Sequence, residues 1–176
     1  MASGDTLVQL PPQDLIPENE GNPGGPPYSL ATDGYSRAIA FGPNVNSGVY
    51  AVRRMPATYS DSTGITFNLL VSDDPLNPAV SKNARFGVSI APVGGAGAYY
   101  PFDTTNLGTE QKGTVTLAST SGQAAVPLTI TVAKAVMGGV ASGKFFLLRV
   151  RRLGTDALDT ATAGRVLLHN VTITET

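Results

Sequence analysis

Two stretches near the end of the chain decide the fold: Gly143–Leu153, GKFFLLRVRRL, and Gly164–Thr174, GRVLLHNVTIT. In the first, Phe146, Leu148 and Val150 recur at every second position, framed by Lys144 and Arg152, while Phe145, Leu147, Arg149 and Arg151 occupy the alternate positions. In the second, Leu167, Val171 and Ile173 share one phase and Asn170, Thr172 and Thr174 the other. Successive side chains of a strand point to opposite faces, so both runs read as half-buried β-strands. They read as partners, with Gly154–Ala163 between them as a loop too long for a tight hairpin and expected to project from one end.

Six further runs upstream have the same period. Arg37–Phe41 and Val49–Arg53 flank a Pro-Asn-Val-Asn-Ser-Gly turn and suggest a hairpin. Ile65, Phe67, Leu69 and Val71 alternate with polar neighbours, as do Ala84, Phe86, Val88 and Ile90, then Val115 and Leu117, then Val126, Leu128, Ile130 and Val132. Pro127 has no N–H to give a ladder and belongs at a strand start or on a sheet edge. The best helix candidate, Ala133–Val140, is a short turn broken by Gly138-Gly139. The expected fold is therefore all-β: an eight-stranded antiparallel β-sandwich, jelly-roll-like, over residues 35–176.

Residues 1–34 are different. Pro11, Pro12, Pro17, Pro23, Pro26 and Pro27 alternate with glycines, a composition that favours extended, polyproline-like chain. Leu7, Val8, Leu10, Leu15 and Ile16 interrupt it, and a solvated linker has no use for them. The segment reads as an extended Pro-rich N-terminal arm whose aliphatics enter grooves on its own domain or on a neighbour; a disordered tail is the plainer alternative.

Composition excludes much chemistry. The 176 residues suffice for one domain with a substantial core, and 41% are hydrophobic. Only 14% are charged, with a net charge of −1, so no basic field exists to hold nucleic acid. Cysteine is absent, which removes disulfides, thiolate metal sites and cysteine nucleophiles. No run has the length of a membrane span or a signal peptide, which leads to the expectation of a protein made in the cytoplasm without a leader and with no membrane partner. His169 is the only histidine, sits within a strand, and reads as structural. Asp61, Asp73 and Asp74 sit in turns, and Asp156 and Asp159 lack the spacing of a calcium loop. The sequence thus gives no catalytic residue, no metal site and no cofactor, and the chain is expected not to be an enzyme.

Two groups remain as contact candidates. Tyr99, Tyr100 and Phe102 cluster in the long Ala91–Lys112 loop, where they either pack against one end of the sandwich or meet another subunit or a ligand. Arg149 and Arg151 share a strand face, and Arg53-Arg54 closes an earlier strand; such forks suit carboxylates, across an interface or within the chain.

The opening Met1-Ala2-Ser3-Gly4-Asp5-Thr6-Leu7, the run Leu147–Arg152 followed by Gly154-Thr155-Asp156, and the Thr-Glu-Thr end resemble small β-sandwich structural proteins of tailed bacteriophages. That resemblance implies a non-enzymatic virion protein, a capsid decoration or cement protein, assembled in the host cytoplasm. Its implied partners are the major capsid protein and two further copies of itself in a homotrimer. The arm aliphatics, the aromatic loop and the two arginines would be the contacts. The alternative is a fibre or tail module that binds a host glycan through Tyr99, Tyr100 and Phe102.

Overall fold

The computed structural model describes residues 4–17, 28–32, 37–73, 82–93, 107–117, 124–162 and 164–176. Among them are eleven strands: β1 (Thr6–Leu10), β2 (Ile16–Pro17), β3 (Tyr28–Thr32), β4 (Arg37–Phe41), β5 (Asn46–Arg54), β6 (Ile65–Asp73), β7 (Lys82–Pro92), β8 (Gln111–Leu117), β9 (Val126–Val132), β10 (Phe145–Leu153) and β11 (Val166–Glu175). The first sheet runs β3-β4-β11-β6-β9, with β1 also paired to β11, and the second runs β2-β5-β10-β7-β8. The eight strands expected from alternation are all present. Taken as β4-β11-β6-β9 facing β5-β10-β7-β8, they form a jelly roll in which every strand pairing is antiparallel.

This order corrects two expected pairings. β4 and β5 lie in different sheets, so the turn between them is a crossover and not a hairpin. The same holds for β10 and β11: each is flanked on both sides within its own sheet. Nor does the loop between them project. Asn83 O accepts the N–H groups of Thr160 and Ala161, and Asp159 is buried, so the loop folds back on the start of β7.

The core fills the space between the sheets. Ile65, Phe67, Leu69 and Val71 of β6 face Phe86, Val88 and Ile90 of β7 and Phe146, Leu148 and Val150 of β10. Phe41 meets Phe86 edge-on across the gap, with centroids 5.9 Å apart. In β11 the register shifts between Leu168 and Asn170. This bulge turns Leu168 inward with Val171 and Ile173, whereas Leu167 lies outside with Ala38 and Ala40. The alternation read from sequence had placed Leu167 inside. Pro127 sits near the start of β9, which is an edge strand, as its missing N–H requires. The turn after β9 is a single 3-10 turn, Lys134–Val136, and Gly138 and Gly139 follow at positive φ.

The described part of the N-terminal segment lies on its own sandwich. β1 pairs with β11 and β2 with β5, so the segment lengthens both sheets. Leu7, Leu10 and Leu15 are core residues, Leu10 with no exposed surface at all. Of the two surfaces expected for these three, grooves on their own domain or on a neighbour, the described residues occupy the first. Asp14 anchors the same stretch through a 2.7 Å ion pair with Arg53.

Candidate functional site on the outer face of the second sheet

The outer face of the second sheet follows directly from the alternation of β10. Phe146, Leu148, Val150 and Arg152 point inward, so Phe145, Leu147, Arg149 and Arg151 point out. Register extends these positions into rows. Arg149 lies between Tyr50 of β5 and Ser89 of β7, with Ile16 beyond Tyr50 on the sheet edge. Leu147 lies between Val52 and Ala91, and Arg151 between Gly48 and Gly87, which is followed by Lys112 of β8. At the far end Phe145 stands opposite Arg54. From Phe145 to Arg151 the face is about 20 Å long at the usual rise of an extended chain.

The centre of the face is polar and ordered. Glu110, just before β8, chelates Arg151 (2.6 Å to Nε, 3.0 Å to Nη2) and reaches Nη2 of Arg149 at 3.4 Å. Gly87 makes this possible, since a Cβ there would lie 2.5 Å from Cδ of Glu110. The two arginines thus have an intramolecular carboxylate partner, Glu110. Tyr50, Ser89 and Leu147 are buried beside them, and the Ser89 hydroxyl has no hydrogen-bond partner. At the β8 side, Asp156 pairs with Lys112 (3.2 Å) and Arg85 (3.8 Å). Its carboxyl is held below the ordinary carboxylate range, first by the Leu158 N–H and then by Lys112.

The Phe145 end has a different character. Of the described aromatic side chains, Phe145 is the one that is exposed, at 56%. Arg54 beside it is also exposed and donates from Nε to Gly143 O at 2.9 Å. A strand-borne aromatic ring with its face open to water and a guanidinium alongside is a binding feature in chemical terms: the ring removes apolar surface from water, and the fork takes oxygen acceptors.

The other positions singled out in the sequence have these places. Val8 packs half-buried against the core and Ile16 is 47% exposed on the β2 edge. Tyr99, Tyr100 and Phe102 lie outside the described residues. His169 shares a 2.8 Å hydrogen bond with Ser72 on the outer face of the first sheet. The residue that sequence reasoning missed as part of a contact surface is Phe145. The signal was present, because it shares its phase with Arg149 and Arg151, but its alignment with Arg54 needed the register.

Several carboxylates of the described residues are committed elsewhere. Asp159 is the buried counterion of Arg152. Asp61 accepts the Ser142 N–H at 2.7 Å, and Glu175 accepts from Ser60 N and Thr63 Oγ1 at 3.0 and 2.6 Å. Tyr59 beside this last group is pushed above the usual tyrosine pKa, by burial first and then by Asp61 and Glu175. No cluster of three metal-ligating side chains occurs among the described residues.

Fold and face together define the class: an antiparallel jelly-roll sandwich with a polar outer face. No protein-family model and no curated protein matches the sequence. Among solved structures, a xylan-binding module, CBM15, aligns over 97% of this chain and 97% of its own, with a TM-score of 0.53 at 12% identity. The C-terminal CBM6 of a marine laminarinase from Zobellia galactanivorans aligns over 95% and 98% (TM-score 0.45, 14% identity). A family 11 carbohydrate-binding module from Clostridium thermocellum, solved with a β-1,3-1,4-mixed-linked tetrasaccharide, aligns over 98% and 96% (TM-score 0.39, 12% identity). The first of these supports the β-sandwich from end to end, and the likeness is one of fold. Nothing in this likeness of fold points to a capsid decoration protein.

Proposed function

We propose that the chain is a non-catalytic carbohydrate-binding module that holds a polysaccharide at the Phe145 end of the outer face of its second sheet. The observation that carries this reading is the open Phe145 ring beside Arg54, at the end of a row of ordered polar side chains, on a sandwich that shares its whole length with a xylan-binding module. Sugar sites combine an apolar platform with a few fixed polar groups, and this face offers both. The engagement of Asp61, Asp156, Asp159, Glu110 and Glu175 in hydrogen bonds or ion pairs supports adhesion over hydrolysis, which needs two carboxyl groups facing a substrate.

Affinity electrophoresis of the full chain through gels containing xylan, mixed-linked β-glucan, laminarin or polygalacturonate tests the reading. Retardation by at least one polymer, reduced in Phe145→Ala, is the expected result; migration unchanged in all of them overturns it.

The second reading, decoration of a phage capsid as a homotrimer contacting the major capsid protein, is favoured by the resemblance at the two chain ends. With Leu7, Leu10 and Leu15 inside their own core, it retains Val8 and Ile16 as arm aliphatics with surface to share. Co-sedimentation with undecorated capsids and a solution mass three times that of the chain would move the balance to it.

A further inference from the structure

We infer that the Phe145 end of this face binds an acidic sugar, a pyranose carrying a carboxylate, and this inference rests on the carbohydrate-binding reading above. The first observation is a pattern in the arginines. Arg53 pairs with Asp14, Arg85 with Asp156, Arg149 and Arg151 with Glu110, and Arg152 with Asp159. Arg54 departs from it: among the described residues its one hydrogen bond runs from Nε to Gly143 O. Among the described residues this cation has no carboxylate partner, and it stands next to the exposed ring.

The second observation is that the group is held in place. Gly143 adopts φ +67°, a left-handed conformation that favours glycine, and its N–H bonds to Met55 O at 2.9 Å. Met55 N in turn bonds to Lys144 O at 2.8 Å. These bonds fix the carbonyl that receives Arg54 Nε, so the guanidinium is oriented with both Nη groups left to donate.

The chemistry then specifies the ligand. The apolar face of a pyranose lies on the phenyl ring, and the two Nη groups take the two oxygens of a carboxylate as a fork takes its match. A neutral sugar stacked here would strip water from Arg54 and return only hydroxyl acceptors, which recovers less of the desolvation. A carboxylated pyranose satisfies both the ring and the cation.

Isothermal titration of the full chain with polygalacturonate and with its fully methyl-esterified form decides the matter, because esterification removes the carboxylate charge while keeping the same sugar backbone. The acid form should bind about tenfold more tightly, the value of one charge-assisted hydrogen-bonded contact, and lose affinity as salt rises. Arg54→Gln should remove about that tenfold for the acid and leave the ester within about twofold, whereas Phe145→Ala should weaken both. Equal affinity for acid and ester, or an acid affinity indifferent to Arg54→Gln, overturns the inference while leaving the module a carbohydrate binder. Absence of binding to these polymers and to xylan, laminarin and mixed-linked β-glucan overturns the underlying reading. Tighter binding of a single-stranded oligonucleotide through the same two residues overturns both. Both substitutions are at exposed positions, and unchanged unfolding midpoints serve as the control.

Discussion

Replacing Arg152 by Met should destabilise the fold by several kcal/mol, although the position belongs to a residue type usually met at the surface. Arg152 ends the inward phase of β10 and has no exposed surface. All five of its N–H groups are accounted for. Nε and Nη2 meet the two oxygens of Asp159 at 3.0 and 2.8 Å, Nη2 also donates to Ala161 O, and Nη1 reaches Gly42 O at 2.9 Å and Phe41 O at 3.4 Å. One side chain thus ties β10 of the second sheet to the end of β4 in the first and to the 154–162 loop. Methionine approximates the volume of the arginine stem, so the cavity term is small. What is lost is the counterion of a buried carboxylate and the donors to three carbonyls. Breaking a buried pair from one side costs about 3–5 kcal/mol, against about 0–1 for an exposed pair.

At about 3 °C per kcal/mol for a chain of this length, the melting temperature should fall by roughly 10 °C. Urea unfolding followed by circular dichroism should show a lower midpoint with an unchanged slope. The double variant Arg152→Met, Asp159→Asn removes both charges and leaves an acceptor for the Arg85 N–H, which bonds Asp159 at 3.0 Å in the wild type. It should be more stable than the single arginine variant by about 2 kcal/mol. An Arg152→Met variant within about 1 kcal/mol of wild type, or two substitutions that simply add, would refute the account of Arg152 as the tie between the sheets.

Three further outcomes are expected. Leu10→Ala should cost about 2–5 kcal/mol while Ile16→Ala costs under about 0.5, because the first is buried in the core and the second lies open on the β2 edge; equal effects in urea unfolding would contradict the placement of the N-terminal segment. Gly87→Ala should displace the Glu110 carboxylate from Arg151 and cost about 1–2 kcal/mol, with Glu110→Gln adding little on top of it; full additivity in a double-variant cycle would argue against the displacement. Asp156, depressed by the Leu158 N–H and Lys112, should titrate below an ordinary carboxylate by NMR. The stability it contributes is therefore present above the unfolded-state pKa and is lost as pH falls through the lower folded-state value. Lys112→Ala should raise the midpoint only part of the way, since the Leu158 N–H remains, and a wild-type midpoint at or above the ordinary value would contradict the geometry.

How much was legible in the sequence depends on what alternation can encode. A period of two reports which side chains share a face and nothing about which strand lies alongside, so the eight sandwich strands were readable while the pairings of β4 with β5 and β10 with β11 were misassigned. In a jelly roll consecutive strands cross between sheets, and the long 154–163 connection was a sign of this that a search for hairpins overlooks. The bulge before Asn170 inserts one residue and inverts the phase upstream, which is why Leu167 and Leu168 exchange roles. The N-terminal aliphatics were recognised as needing cover, but composition could not say that the cover was their own core.

Arg152 shows the same limit at a single residue. Its phase, continuous with Phe146, Leu148 and Val150, marked it as inward, while the usual behaviour of arginine marked it as outward. The conflict is resolved by Asp159, seven residues on, which supplies what an inward arginine requires. Phe145 and Arg54 are the mirror image of that case. An exposed ring and an exposed guanidinium, whose one hydrogen bond among the described residues goes to Gly143 O, are aligned by a register that the core residues on the opposite face enforce. The inner face fixes β5 against β10, and the outer face inherits the juxtaposition, so the alignment of Phe145 with Arg54 is set by residues on the far side of the sheet.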